Sequence, residues 1–166
     1  MFIKQSLTFS PVEPWHLAKL RLERNRNLSG VRTPIPVQTM EQQEKWYHSL
    51  DERNLAFVVS EGEDDIGFIA IKLEPENQAA ALVGCTVFEG FEGKGYGTRI
   101  LRGAAEWLIR DLGYHRVQAE ALELHTRAQR IILKAGFKKE GTKRGYIWRD
   151  GCWQDFEQYS ILAGEL

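Results

Sequence analysis

The sequence predicts one domain of mixed α/β (α+β) class over residues 1–166, and three observations support this prediction. The length of 166 residues suits one domain better than two. A hydrophobic content of 43% is enough to build a core without disulfide bonds. The hydrophobic period changes repeatedly along the chain between helical and strand-like spacing. From these changes we expect seven strands and about four helices.

The first third of the chain predicts one strand followed by two helices. Residues 1–9 show an imperfect alternation of apolar side chains, which indicates a strand. Prolines end this strand, and residues 15–26 then carry apolar side chains at helical spacing. Two further prolines make residues 31–37 an irregular loop. Thr39 can cap a second helix, which extends to Leu50.

The middle of the chain predicts an antiparallel meander. Residues 55–60, 66–73 and 79–88 are short runs that are apolar or rich in β-branched side chains. Polar turns that contain glycine or proline separate the three runs. Strands joined by such tight turns pair antiparallel with their neighbours.

Helices and strands alternate in the last part of the chain. Residues 95–111 form the most strongly helical segment, and a glycine ends it. Residues 116–122 predict a strand, and residues 126–134 predict a short helix that also ends at a glycine. Residues 137–148 and 152–162 predict a final hairpin, because an Asp-Gly pair lies between them.

Composition and charge exclude several classes of function. The formal net charge of −1 argues against bulk electrostatic binding to nucleic acid or to anionic membranes. No apolar run approaches the ~20 residues of a membrane span, and the N-terminus lacks a signal-peptide pattern. Cys85 and Cys152 are far apart and have no metal-ligand spacing. We therefore expect a cytoplasmic protein with no metal site and no nucleic-acid or membrane partner.

A glycine-rich loop carries the clearest chemical signal. Gly93, Gly95 and Gly97 alternate between a predicted strand and the strongest helix, so free N–H groups can converge on phosphate oxygens. A P-loop would need Ser or Thr directly after Lys94, and a dinucleotide fingerprint would need glycine or alanine at Thr98. The structural alternative is a tight turn that only caps the helix.

Two segments together resemble the GNAT superfamily of N-acetyltransferases. In that family Gln/Arg-x-x-Gly-x-Gly/Ala grips the pyrophosphate of coenzyme A; here Gly95 and Gly97 match, and Glu92 stands at the Gln/Arg position. Residues 128–141 resemble the family's Ala/Ser-x7-Gly-Phe-x-x-x-Gly. His125 stands three residues before that alanine, where asparagine is usual.

The resemblance implies a fold and an activity. The fold is the GNAT fold, with a central, largely antiparallel seven-stranded sheet that splays in the middle. The activity is direct transfer of an acetyl group from acetyl-coenzyme A, the co-substrate, to a primary amine. Residues 149–162 are similar to the end of the subgroup that acetylates ribosomal-protein N-termini, an ending that amino-sugar and polyamine enzymes share.

Several alternatives stay open at this point. The acceptor is a protein or peptide N-terminus, or a small amine such as an amino sugar or a polyamine. A non-catalytic acyl-coenzyme A sensor is the alternative from a different class. The protein is a monomer or a homodimer.

The resemblance also implies the residues of the cofactor site. Pantetheine would lie beside the strand near Gly84, where a glycine inside a strand indicates a bulge, and a backbone N–H there would stabilise the oxyanion. A basic side chain after the next strand would reach the 3′-phosphate. The predicted cofactor-binding residues are Cys85, Thr86, Val87, Glu92, Gly93, Lys94, Gly95, Tyr96, Gly97, Thr98, His125, Arg127 and Arg130.

Three side chains are candidate catalytic bases, each with a solvated rim position as the alternative. Glu120 and Glu123 lie at the strand that follows the glycine helix, and His125 ends that strand with a suitable intrinsic pKa. Ile132 stands where family members often place a tyrosine that protonates the leaving thiolate. On the acceptor side, Arg32 and Trp46 are the predicted substrate-binding residues.

Overall fold

The computed structural model describes residues 1–26 and 37–166. Within these ranges four α-helices flank one sheet of eight strands, which confirms the predicted mixed α/β fold. The strands are β1 (Phe2–Lys4), β2 (Leu7–Pro11), β3 (Asn54–Glu61), β4 (Asp64–Glu74), β5 (Ala79–Val87), β6 (Arg116–Leu122), β7 (Lys138–Arg149) and β8 (Cys152–Leu162). The helices are α1 (Leu17–Arg26), α2 (Met40–His48), α3 (Tyr96–Glu106) and α4 (Thr126–Lys134).

The structure corrects the predicted strand count from seven to eight. The segment predicted as one strand, residues 1–9, is a hairpin of β1 and β2. Gln5 and Ser6 form its turn with φ angles of 55° and 57°, the left-handed conformation of a tight hairpin turn. The alternation of apolar residues is imperfect because this turn interrupts it. The turn contains no glycine.

The sheet order is β1-β2-β3-β4-β5-β6-β8-β7, and the parallel pair β5–β6 lies in its middle. All the other neighbouring strands pair antiparallel, as predicted. The strands β5 and β6 pair only from Ala79 to Leu82, and beyond Leu82 they separate. This separation is the predicted splay of the sheet.

A bulge in β5 lies at the start of the splay. Gly84 pairs with Ala70 of β4 and Leu82 pairs with Ile71, so Val83 has no partner residue on β4. The bulge therefore lies next to Gly84, as the presence of a glycine inside the strand predicted. A bulge bends its strand, which helps β5 to leave β6 at this point.

Two apolar clusters lie on opposite faces of the sheet. Under α3 and α4, Ile100 and Ala104 are fully buried in the larger cluster. Under α1 and α2, Leu20 is buried in the smaller one. Val58 and Val59, consecutive residues of β3, belong to different clusters because side chains of a strand alternate between its faces. The two helix pairs therefore cover opposite faces.

Two features are absent from the described residues. In residues 1–26 and 37–166, no helix has both the length and the apolar character that crossing a bilayer requires. Over the same residues, no group of three His, Cys, Asp or Glu side chains is placed to hold a metal ion.

Candidate active site

A cleft of ≈ 640 Å³ opens where β5 and β6 separate. Leu101 and Ile132, which line it, belong to the apolar cluster under α3 and α4. Leu20 and Phe88, which also line it, belong to the cluster under α1 and α2. The cleft is thus lined from both faces of the sheet, an arrangement that suits two ligands meeting at the splay.

One edge of β5 faces the cleft. From Gly84 to Val87 the strand pairs with β4 on one side, while its ladder with β6 has already ended on the other. Cys85, Thr86 and Val87, three of the predicted cofactor-binding residues, line the cleft along this edge. An edge of this kind can hydrogen-bond an extended ligand as an added strand would.

The Cys85 thiol is held neutral in this position. Water reaches the side chain through the cleft, but protein surrounds it closely. This desolvation raises the pKa of the thiol from 9.0 to about 12. At physiological pH the Cys85 thiol is therefore protonated, which makes it a poor nucleophile.

The glycine loop has the geometry of an anion cradle. Gly93 and Gly95 have φ angles of +78° and +85°, which side chains with a Cβ adopt only with strain. Gly95 is the N-cap residue of α3, so no N-cap side chain hydrogen-bonds the first N–H groups of the helix. The first N–H groups of α3 have no acceptor within the helix, so they point out of its N-terminus beside the cleft.

Gly97 contributes through close packing and not through an unusual backbone conformation. It lies in the first turn of α3 and is buried, and a Cβ there would lie 3.3 Å from the Ile131 side chain of α4. Gly97 and Ile131 both line the cleft. The lack of a side chain lets α3 approach α4, which places the N-terminus of α3 at the cleft wall.

Glu92, the departure from the family motif, forms an ion pair with Arg26. The guanidinium of Arg26 lies 2.9 Å from the Glu92 carboxylate and 2.8 Å from that of Glu23. A hydrogen bond from its own backbone N–H, together with Arg26, holds the pKa of the Glu92 carboxyl below its usual value. Glu23 also accepts the N–H of Glu89, 3.2 Å away. The end of α1 is thus bound to the glycine loop, and a cation offsets the charge of Glu92.

Three other predicted loop residues contribute differently. The Tyr96 hydroxyl donates to Glu61, the last residue of β3, so Tyr96 offers only its backbone to the cradle. Lys94 donates to the Gly90 carbonyl, 2.9 Å away, and its side chain is exposed. Thr98 is half-buried in the first turn of α3.

The start of α4 brings His125 and Arg127 to the cleft. His125 occupies the N-cap position of α4, and both residues line the cleft, whereas Arg130 does not. Burial lowers the pKa of His125, and the positive charges of Arg127 and Arg149 lower it further. The imidazole is therefore neutral near pH 7 and able to accept a proton.

The two candidate carboxylates differ in position. Glu120 lines the cleft on β6 and accepts a hydrogen bond from Lys143 of β7. Glu123 is exposed at the rim, outside the residues that line the cleft. Ile132 is buried at the position of the family's tyrosine, and no tyrosine is among the described residues of the cleft wall.

The α1/α2 side of the cleft combines aromatic and polar groups. Trp46 of α2 lines it and packs edge-to-face on Phe68 of β4, with ring centroids 5.7 Å apart. Gln43 also lines the cleft, and only 3% of its surface is exposed. Arg24 of α1 contributes a guanidinium whose pKa burial lowers. The predicted Arg32 lies outside the described residues.

The cleft residues or partners that the sequence did not indicate include Gln43, Phe68, Lys143 and Arg149. The sequence could have indicated Gln43, because it precedes Trp46 by three residues and a helix places such a pair on one face. The other three come from strands, and their position depends on the splay.

These groups fit coenzyme A. An N-terminal cradle for a pyrophosphate and the basic side chain of Arg127 suit an anionic nucleotide. A strand edge beside them suits an extended arm that carries amide groups.

Comparison with known sequences identifies acetyltransferases. A probable N-acetyltransferase of Bacillus subtilis (strain 168), YjcK, is 30% identical over 82 residues, 49% of this chain and 45% of that protein. The [ribosomal protein uS5]-alanine N-acetyltransferase of Escherichia coli (strain K12) is 29% identical over 76 residues, 46% of this chain and 39% of that protein. The matched stretch thus spans less than half the length of either relative.

Comparison with solved structures gives the same fold over nearly the whole chain. The spermidine N-acetyltransferase from Vibrio cholerae, in complex with CoA and spermine, superposes with a TM-score of 0.86 at 21% identity. This match covers 96% of this chain and 97% of that one. A family model described as acetyltransferase (GNAT) domain matches residues 6–138. The predicted family is confirmed, and the chain belongs to the GNAT acetyltransferases.

Proposed function

We propose that this chain is an acetyl-coenzyme A-dependent N-acetyltransferase that moves the acetyl group directly to a primary amine. The single observation that carries the proposal is the cleft at the splay, which is lined from both faces of the sheet. Cofactor can enter beside α3 and α4 while an acceptor enters beside α1 and α2. Direct transfer requires such a meeting of two substrates in one ternary complex.

The residues of the cleft divide the binding of coenzyme A between them. Backbone N–H groups from Gly93 to Thr98 hold the pyrophosphate, and Arg127 holds the 3′-phosphate. The free edge of β5 binds the pantetheine arm through backbone hydrogen bonds. A backbone N–H between Cys85 and Val87 donates to the thioester oxygen as negative charge develops on it. Bound acetyl-coenzyme A supplies the activated acyl group.

Proton transfer needs only a weak base if the acceptor is an α-amine. With a pKa of about 7.8, an α-amine is roughly one-tenth neutral at pH 7, whereas a lysine-like amine is neutral about once in 2,500. His125 accepts the proton directly or through water, since its lowered pKa keeps the imidazole neutral. Glu120 is the second candidate, and Glu123, at the rim, is the third.

The thiolate leaves without a tyrosine to protonate it. Ile132 occupies that position, so a water molecule supplies the proton or the thiolate departs unaided. A thiol with a pKa of about 8.5 is a good enough leaving group for this.

Titration of the protein with acetyl-coenzyme A tests the cofactor site. We expect micromolar binding that Arg127→Ala weakens about tenfold, as for loss of a charged hydrogen bond. Arg130→Ala, three residues further along α4 and outside the cleft, is the matched control. The loss caused by Arg127→Ala should vanish with 3′-dephospho-coenzyme A. Equal weakening by both variants, or persistence with the dephospho compound, would contradict the assignment.

A turnover assay distinguishes the hypothesis of an enzyme from that of a non-catalytic acyl-coenzyme A sensor. A panel of peptides with free N-termini, amino sugars and polyamines is incubated with acetyl-coenzyme A, and acetylated products are detected by mass. An enzyme acetylates at least one class. Tight binding of acetyl-coenzyme A with no product from any class would favour the sensor.

Domain organisation, localisation and oligomeric state belong to the same proposal. We place the chain as one domain over residues 1–166, in the cytoplasm, as a monomer or a homodimer. The sharing of β3 between both apolar clusters supports a single domain, and the two free thiols suit a reducing compartment. Sedimentation of the purified protein measures the oligomeric state.

A further inference from the structure

Glu92 places a negative charge at the edge of the anion cradle. It directly precedes Gly93, the first glycine of the loop, and it lines the cleft. A carboxylate cannot donate a hydrogen bond to a phosphate oxygen, and at this position it repels the pyrophosphate of the proposed function. The GNAT motif has Gln or Arg here, and both are hydrogen-bond donors. A cation beside Glu92 would therefore remove the repulsion and also supply the missing donor.

Arg26, the last residue of α1, is the cation beside Glu92. Its Nη2 lies 2.9 Å from the Glu92 carboxylate and 2.8 Å from that of Glu23, and its Nε donates to Glu23 at 3.3 Å. Arg26 itself lines the cleft, and 37% of its side chain is exposed. The guanidinium is thus part of the cleft wall, where a ligand can reach it.

The guanidinium can bind a further anion. Its hydrogen bonds to the two glutamates use Nε and Nη2. Its Nη1 lies 3.8 Å from the carboxylate of Glu89, which is the distance of an ion pair and too long for a hydrogen bond. Glu89 is exposed, and exposed ion pairs are weak. Because the five N–H donors of a guanidinium form a planar fork that fits phosphate oxygens, Nη1 can bind a phosphate while Nη2 stays on Glu92.

We infer that Arg26 is a side-chain ligand of the coenzyme A pyrophosphate, contributed by α1 at the loop position where Glu92 cannot donate. The inference rests on the proposed function for the location of the pyrophosphate. The guanidinium keeps its bond to Glu92, which offsets the carboxylate, and donates to a pyrophosphate oxygen through Nη1. Backbone N–H groups of the glycine loop and a side chain from the opposite face of the sheet then hold the pyrophosphate together.

A charge-balanced double variant distinguishes a ligand from a partner that only neutralises Glu92. Arg26→Gln alone removes the donor but also leaves Glu92 without its cation, so a loss of affinity would have two explanations. Arg26→Gln combined with Glu92→Ala removes one cation and one anion, so the net charge beside the cradle is unchanged. Alanine is used at position 92 because glutamine would itself supply a donor.

The double variant should bind coenzyme A about tenfold or more weakly than the wild-type protein in calorimetry, as for loss of a charged hydrogen bond. Lys19→Gln combined with Glu92→Ala is the matched control. Lys19 is on α1, outside the cleft lining, and pairs with Asp65 at 3.6 Å. This control has the same net charge as the double variant and should bind coenzyme A no more weakly than the wild type.

A second ligand locates the contact on coenzyme A. 3′-Dephospho-coenzyme A retains the pyrophosphate, so the double variant should lose the same factor in affinity for it. Urea unfolding checks that each variant is folded. Arg26→Met with Glu92→Ala keeps the apolar part of the side chain, and it replaces the first double variant if that one is unstable.

Three results would overturn the inference alone: wild-type affinity in the double variant, an equal loss in the Lys19 control, or a loss that vanishes with 3′-dephospho-coenzyme A. The last result would place Arg26 at the 3′-phosphate. Absence of coenzyme A binding by the folded wild-type protein would instead refute the proposed function, and the inference with it.

Discussion

Cys85 should be far less reactive than an ordinary cysteine, although it lines the cleft. Desolvation raises its pKa from 9.0 to about 12, so at pH 8 the thiolate is roughly a thousandfold scarcer than for an unperturbed thiol. Alkylation proceeds through the thiolate, and the rate of labelling by iodoacetamide should fall by a similar factor. The rate should also rise about tenfold per pH unit up to at least pH 10, without a plateau.

The chain provides its own control for this measurement. Cys152, on the hairpin that joins β7 and β8, is exposed and is the only other cysteine. Peptide mass spectrometry follows both sites in one sample over time. Labelling of Cys85 within about tenfold of the rate at Cys152 would refute the reasoning, because the desolvation would then be too weak to suppress the thiolate.

The same property bears on the course of the reaction. A neutral Cys85 cannot take the acetyl group from the thioester, so no acetyl-cysteine should accumulate when acetyl-coenzyme A is added alone. Cys85→Ala should keep its activity, and initial rates should fit a ternary complex. Ping-pong kinetics together with an acetylated Cys85 peptide would contradict direct transfer.

Three further predictions follow from the loop and the candidate base. Gly95→Ala forces a Cβ residue to φ +85° and should lower the free energy of unfolding by about 1–2 kcal/mol. Gly97→Ala brings a Cβ to 3.3 Å from Ile131 and 3.6 Å from Val87, but alanine is the better helix former, so the variant should be nearly neutral in the same urea titration. Glu92→Gln removes a negative charge beside the anion cradle and should tighten acetyl-coenzyme A binding at low salt. Arg26→Gln removes a positive charge and should weaken this binding. Calorimetry should show that both effects shrink at high salt. His125 must be neutral to accept a proton, and its pKa is lowered, so kcat/KM expressed per neutral acceptor amine should persist below pH 6.5 and fall only at lower pH. His125→Gln should remove this acidic limb from the profile corrected for the neutral amine.

Local signals predicted the parts of the fold that depend on neighbours in sequence. The helix that became α4 has the predicted bounds, Thr126–Lys134, because periodicity and a terminal glycine act within a few residues. The turn at Gln5–Ser6 escaped prediction since neither residue is a usual turn former in the left-handed region.

The site shows the same division between local and distant causes. The glycines of the cradle lie at alternate positions within five residues, so they could be recognised in the sequence. The ion pair of Arg26 with Glu92 joins residues 66 positions apart, and no periodicity reports such a contact. The side-chain environment of Gln43 likewise depends on how α2 packs against the splayed strands, which propensities do not determine.

The arginine charge of the cleft links acceptor choice to proton transfer. Arg127 and Arg149 lower the pKa of His125, and an ammonium group bound beside the imidazole experiences the same field. Lowering the pKa of an α-amine from about 7.8 to about 6.8 raises its neutral fraction at pH 7 from roughly one-tenth to roughly six-tenths. Under the proposed function, positive charge beside the imidazole therefore favours deprotonation of a bound α-amine.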